Sequence, residues 1–233
     1  MINGQIKILS TKILDEGIIQ QAASKNIIID CIPFIQIKTI DTPVLQQEIT
    51  KAIEKNDHII FTSANAVEAV AKQFNTKQQL NVFCISGKTR KAVEENFPGS
   101  NIITDAPNGS ELAEKIINSK IKSAVFFCSD KRLNTIPEKL SFENIVLNEI
   151  IVYETVITPQ RIEKNYEGVL FFSPSGVDSF FSVNTPAKCP VAFSFAGSTY
   201  IVLQPIIKEI TLCQTPSEQG MLNAVIDYYK SFL

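Results

Sequence analysis

Short apolar runs alternate with amphipathic stretches along nearly the whole chain, and the sharpest instance lies in its last third. Val169-Leu170-Phe171-Phe172 runs into Ser173-Pro174-Ser175-Gly176, after which Val177, Phe180 and Phe181 recur at helical spacing. A continuous apolar run of this length reads as a buried strand, and the period that follows reads as a helix. A strand that ends in small hydroxyl residues and turns at once into a helix leaves backbone N–H groups without intrahelical partners. Such a turn suits an anion.

The same device occurs earlier as Phe61-Thr62-Ser63-Ala64-Asn65-Ala66-Val67, with Ser63 and Ser173 110 positions apart. The spacing persists. Gly87-Lys88-Thr89 corresponds to Gly197-Ser198-Thr199, and the helical pattern over 112–116 to that over 222–226. Three strand-turn-helix units in one order at one spacing indicate a duplicated architecture. A period this long is not that of a solenoid, whose repeats run to about 20–50 residues.

The remaining pattern predicts strands over 6–10, 27–29, 59–61, 81–85, 101–103, 123–128, 145–147, 169–172, 191–195 and 210–213. Helices are expected to end near Ser24 and to cover 43–54, 64–74, 88–96, 110–118, 133–140, 177–182, 199–207 and 219–229. Alternating strands and helices predict parallel sheets covered on both faces. The second cycle lacks a first strand, and residues 6–30 hold the missing βαβ content. The expected architecture is therefore α/β, with two similar doubly wound parallel-sheet domains joined by a two-stranded linker and a cleft between them. One domain combines 1–34 with 156–233, the other is an insertion over 39–148, and 35–38 and 149–155 are the linker strands.

Composition narrows the class. The chain has 233 residues, 45% apolar and 20% charged, and a net charge of −2. That balance gives no general attraction for nucleic acid or membranes. Five cysteines, none in a Cys-x-x-Cys pair, suit reduced buried thiols. Residues 1–5 show no basic-then-apolar leader pattern, and no apolar run reaches membrane length, so a cytoplasmic protein is expected.

Candidate chemistry concentrates in the turns. Ser63, Asn65, Thr89, Ser173, Ser175, Ser198 and Thr199 stand out, with Ser129 beside them. Each could be simply a helix cap, and a cap leaves backbone donors exposed next to it. Nearby cations are Lys88, Arg90, Lys91, Lys131 and Arg132, which could equally form a solvated helix face. His58 is the only histidine, which excludes a Ser-His triad and multi-histidine metal sites. Neither a G-x-G-x-x-G nor a Walker loop is present. No metal or cofactor is expected. Read from residues alone, the chain is a two-domain α/β binder of an anionic ligand.

Several motifs together make the chain similar to the uroporphyrinogen-III synthase family. They are FTSANAV (61–67), the Gly-x-Thr turn at Thr89, VYET (152–155), FFSPSGV (171–177), the AGST turn (196–199) and Thr215-Pro216. They follow the family's order over nearly the whole chain. Two positions depart from its pattern: Lys12-Ile13 stands where the family often has Arg-Pro, and Ser198-Thr199 where it often has two threonines. The resemblance implies a cofactor-free lyase that dehydrates and cyclises hydroxymethylbilane to uroporphyrinogen III. The last pyrrole ring is inverted through a spiro intermediate. It also implies a substrate with eight carboxylates that closes without inversion when left alone, so that positioning outweighs acid–base chemistry. The tyrosine of the VYET stretch, Tyr153, is the expected catalytic residue. The protein is expected to act as a monomer on this small molecule, with no nucleic-acid or membrane partner. A non-catalytic two-domain binding protein for an anionic small molecule and a nucleotide-sugar transferase are the competing readings.

Overall fold

The computed structural model describes residues 5–55, 58–74 and 79–230. The chain divides into two compact units, Met1–Gln36 with Val156–Leu233 (unit 1) and Ile37–Thr155 (unit 2).

Unit 1 contains β1 (Ile6–Ser10), α1 (Glu16–Ala23) and β2 (Ile27–Cys31) from the start of the chain. Unit 2 spans β3 (Ile35–Thr39), α2 (Pro43–Lys55), β4 (His58–Phe61), α3 (Ala64–Gln73), β5 (Asn81–Ile85) and α4 (Lys88–Asn96). It continues with β6 (Asn101–Ala106), α5 (Gly109–Asn118), β7 (Ser123–Ser129), α6 (Thr135–Phe142) and β8 (Val146–Ile157). The chain re-enters unit 1 for β9 (Gly168–Phe171), α7 (Pro174–Phe181), β10 (Ala192–Phe195), α8 (Ser198–Leu203), β11 (Ile210–Cys213) and α9 (Glu218–Tyr229). β3 and β8 carry the chain across the unit boundaries.

One sheet has the order β11-β10-β9-β1-β2, the other β3-β8-β7-β4-β5-β6. β1 pairs in parallel with β9, placing Leu9 opposite Val169, and with β2 on its other side. The opening strand thus supplies what the last cycle lacks. β4 likewise pairs in parallel with both β5 and β7.

Period-two alternation sends strand residues to two covered faces. In unit 2, Ile59, Phe61, Val82, Cys84, Val125 and Phe127 pack with the helices α2, α3 and α4. Ile60, Phe83, Phe126 and Cys128 pack on the other face with α5 and α6. In unit 1, Ile6, Ile8, Ile27 and Phe193 meet α9, while Leu9, Val169 and Phe171 meet α7 and α8. Continuous apolar strands buried on both faces are what a parallel sheet requires.

The duplication holds in detail. β4 and β9 match at both ends at a separation of 110, and α3 with α7 and α4 with α8 start at that separation. Buried, half-buried and exposed positions over 61–70 recur position for position over 171–180. A second register completes the repeat. α1 and α6 match at both ends at a separation of 119, and β2 and β8 start at the same separation. The two units are therefore one fold, cyclically permuted: β1-α1-β2 stands in unit 1 where β7-α6-β8 stands in unit 2.

Several elements differ from the pattern's expectation: β6 runs on to Ala106 rather than 103, and α7 starts at Pro174 rather than 177 because Ser173 caps it there. α8 ends at Leu203 rather than 207, because Pro205 lacks the N–H that a longer helix needs. α6 starts at Thr135 rather than 133, after the longer turn from β7. Residues 145–147 and 149–155 do not form a strand and a separate linker. They run as one strand, because pairing with β7 continues from Val146 to Tyr153.

Candidate functional site: the strand-to-helix turns

In a doubly wound sheet, ligands bind outside the strand C-terminal ends where strand order reverses. That point falls between β4 and β7 in unit 2 and between β9 and β1 in unit 1.

In unit 2, Ser63 caps α3, its Oγ accepting from the Asn65 N–H at 3.2 Å. Asn65 itself is half-buried in the first turn. In unit 1, Ser173 caps α7 in the same way, accepting from the Gly176 N–H at 3.2 Å, with Pro174 at the first helical position and Ser175 half-buried beside it. An accepting hydroxyl keeps its own hydrogen, so both serines can still donate.

The second turn of each row is built on a glycine. Gly87 has φ 77° and ψ −124°, and Gly197 has φ 91° and ψ −136°. Thr89 and Thr199 follow, only 5% and 4% exposed. Ser198 is half-buried at the start of α8.

The third turn of each row was less legible in the sequence. In unit 1 it is Thr11 to Asp15. Thr11 donates to the Leu170 carbonyl from its N–H at 3.1 Å and from its hydroxyl at 2.7 Å, tying the turn to β9. Lys12 pairs with Glu218 at 2.7 Å, and its ammonium lies 4.7 Å from the centre of the Phe172 ring. In unit 2 the counterpart is Ser129 to Asn134. Ser129 Oγ accepts from the Lys131 N–H at 3.2 Å, and Asp130 Oδ1 accepts from the Thr155 N–H at 2.9 Å. The 119-residue register aligns Thr11 with Asp130 and Lys12 with Lys131, and since only the matching element ends reveal it, no sequence signal singled out these turns.

The cations near the turns are largely committed. Arg90 pairs with Glu94 and Asp105, Lys91 with Glu95, and Arg132 with Glu149. A hydrogen bond from Ser86, with the Arg90 guanidinium adding to it, holds the Asp105 carboxyl below its usual range. Lys131 has no ion pair among the described residues.

Tyr153 lies on β8, 8% exposed, in the core cluster with Ile150 and Val152. Its hydroxyl has no hydrogen-bond partner among the described residues. The buried side-chain oxygens without a partner there are Gln73 Oε1 and Ser179 Oγ. The Tyr153 hydroxyl is not one of them, so it reaches the surface.

His58 opens β4 half-buried, its ring 5.9 Å from that of Phe83, in a packing role. All five cysteines are free thiols. Burial pushes Cys84 and Cys128 up to about 11 and Cys189 to about 12, so these thiols stay protonated near neutrality. No cluster of three or more His, Cys, Asp or Glu suited to a metal occurs among the described residues. No helix among them is long and apolar enough to cross a membrane.

These features define an internally duplicated α/β protein of two doubly wound units, each with a row of hydroxyl-bearing turns at its strand ends. Residues 18–204 match the family model described as uroporphyrinogen-III synthase HemD, and the chain belongs to that family of tetrapyrrole-biosynthesis lyases. Two solved structures share its fold. A mutant uroporphyrinogen III synthase from Thermus thermophilus has TM-score 0.68 at 10% identity, over 97% of this chain and 98% of that one. The Helicobacter pylori enzyme has TM-score 0.68 at 14% identity, over 96% and 99%. No curated protein matches the chain.

Proposed function

We propose that this chain converts hydroxymethylbilane to uroporphyrinogen III, holding the substrate carboxylates on its strand-to-helix turns. The observation that carries the reading is the repeated turn set, present once in each unit of a chain that belongs to this family. Helix N-terminal N–H groups at α3 and α7 bind carboxylates through backbone donors and the helix dipole. Ser63, Asn65, Ser173, Ser175 and Ser198 add side-chain donors, while Thr89 and Thr199 contribute through their N–H groups. The protein acts in the cytoplasm as a monomer, without cofactor or metal.

Tyr153 assists loss of the substrate hydroxyl. A phenol carries an O–H that can donate a hydrogen bond to the departing oxygen. The C–O bond breaks as the phenol proton passes to the oxygen, which leaves as water, and the remaining azafulvene cation is attacked by the substituted carbon of the last pyrrole; the proton that ring's free carbon loses on final closure restores the phenol. The resulting spiro intermediate fragments and recloses with that ring inverted. Because free substrate closes by itself, the chain's main work is to hold the conformer that inverts.

Incubation with hydroxymethylbilane followed by separation of the isomers tests the reading. The inverted isomer is expected in excess, and product distributed as in the protein-free reaction refutes it. Tyr153→Phe, which removes only the hydroxyl, is expected to lower inverted product by about 10²-fold or less, the low end for general acid catalysis. Undiminished turnover with an unchanged melting temperature rejects Tyr153 as the donor.

A further inference from the structure

β8 pairs with β7 in register from Val146 to Ile151, and then slips. Cys128 stands opposite Ile151, but the next residue, Ser129, stands opposite Tyr153. The slip leaves two residues of β8 facing one of β7, which is a β-bulge. Its consequence is visible in the burial along β8. Ile150 is buried, Ile151 is 46% exposed, and Val152 is buried, as alternation requires. Tyr153 comes next and is also buried, at 8%. In an unbroken strand it would share the outward face of Ile151. The bulge turns it instead toward the face of Ile150 and Val152.

One residue spans this irregularity. Asp130 follows the last residue of β7, and its N–H donates to the Tyr153 carbonyl at 3.4 Å. Its Oδ1 accepts from the Thr155 N–H at 2.9 Å. The two bonds close around Tyr153 and Glu154 immediately beyond the bulge. In unit 1, Thr11 occupies the equivalent place: its side chain bonds β9, and only its backbone carbonyl reaches the segment after β2, accepting from the Phe34 N–H at 3.1 Å. The side-chain bond of Asp130 to the Thr155 N–H is therefore what the repeat does not demand.

We propose that Asp130 is a positioning residue for the reaction, clamping the β8 bulge so that the Tyr153 hydroxyl is presented to the leaving group. The proposal rests on the reading of Tyr153 as the donor. The acceptor oxygen, rather than the charge, does the holding, so Asp130→Asn keeps the function and Asp130→Ala loses it.

The test measures kcat, KM and the ratio of inverted to uninverted product for wild type, Asp130→Ala, Asp130→Asn, Tyr153→Phe and the double variant Asp130→Ala/Tyr153→Phe. Exchange of the Thr155 amide is followed alongside. Expected for Asp130→Ala are faster exchange at Thr155, a fall in kcat of about five- to tenfold with little change in KM, and a lower isomer ratio. Asp130→Asn restores all three, and the double variant is no worse than Tyr153→Phe alone. A cycle in which the two losses multiply overturns the proposal, because Asp130 then acts independently of the phenol. So does an Asp130→Ala protein with full kcat and ratio despite faster Thr155 exchange, or one that does not fold, since the clamp then holds the unit rather than one side chain. If Tyr153→Phe is as active as wild type, the donor assignment and this proposal fall together while the activity stands. If wild type forms no excess of the inverted isomer, the functional reading itself falls.

Discussion

Asp30, at the end of β2, shows how much one side chain can hold and how little of that its sequence position reveals. Its Oδ2 accepts from the Tyr166 hydroxyl at 2.7 Å and from Lys164 at 3.0 Å. The tyrosine hydrogen bond first, then the lysine, holds the Asp30 carboxyl below its ordinary 3.8. A carboxyl depressed in the folded state stabilises it fully above its unfolded pKa and ceases to do so as pH falls through the folded one. Unit 1 is therefore expected to lose stability below about pH 4, a loss that Asp30→Asn removes. Denaturant midpoints between neutrality and strong acid check it, and parallel curves for the two proteins would reject it. The partners lie 134 and 136 residues away in sequence, so no local pattern announces them. The same blindness applies to the cations. Arg90, Lys91 and Arg132 look available in the sequence, and folding pairs each with a carboxylate.

At the scale of elements, the strand-turn-helix unit was the most legible feature, because its signals are local. Ser63 and Ser173 precede helical patterns and do cap α3 and α7. Gly87 and Gly197 are glycines for conformation and not for space: a Cβ at either would meet nothing within 4 Å. Their backbone lies in a region that other residues adopt at a cost of about 1–3 kcal/mol. Gly87→Ala and Gly197→Ala are thus expected to destabilise their units by about that much, read as a shift in urea midpoint at unchanged slope. Gly220 differs, since a Cβ there would lie 2.1 Å from the Thr215 carbonyl oxygen, and no rotamer relieves a backbone clash. Its replacement is expected to cost more than either turn glycine. Less legible were features set by tertiary pairing. β8 reads as two pieces because Asn148 and Glu149 interrupt its apolar pattern, yet β7 pairs with both residues. The bulge at Tyr153 leaves no mark on the sequence at all. A helical period carried the reading of α8 past Pro205, where backbone chemistry stopped it.

On the scale of the molecule, the 110-residue register was visible as spacing, but the 119-residue register was not. Between the segments 6–30 and 125–149 it aligns few identities, and only matching element ends expose it. Together the registers explain why the chain's ends belong to one unit and its middle to the other. They also predict unequal autonomy. Unit 2 draws its two apolar clusters, around Phe61 and around Phe126, from residues 45–153. Unit 1 depends on β1, which lies between β9 and β2 and buries Ile6, Ile8 and Leu9 almost completely. A fragment of residues 35–157, which keeps β3 and β8 whole, is therefore expected to unfold in a single cooperative urea transition. A fragment of 158–233 retains three strands of unit 1, with the β9 edge that β1 covers left open, and is expected to show no such transition. An unpaired apolar edge invites association, so the second fragment should also aggregate. Circular dichroism across urea, with light scattering on the same samples, decides the matter. Cooperative melting of 158–233 alone would mean that β9, β10 and β11 close a core without the opening strands, and that the first 31 residues complete unit 1 without determining it.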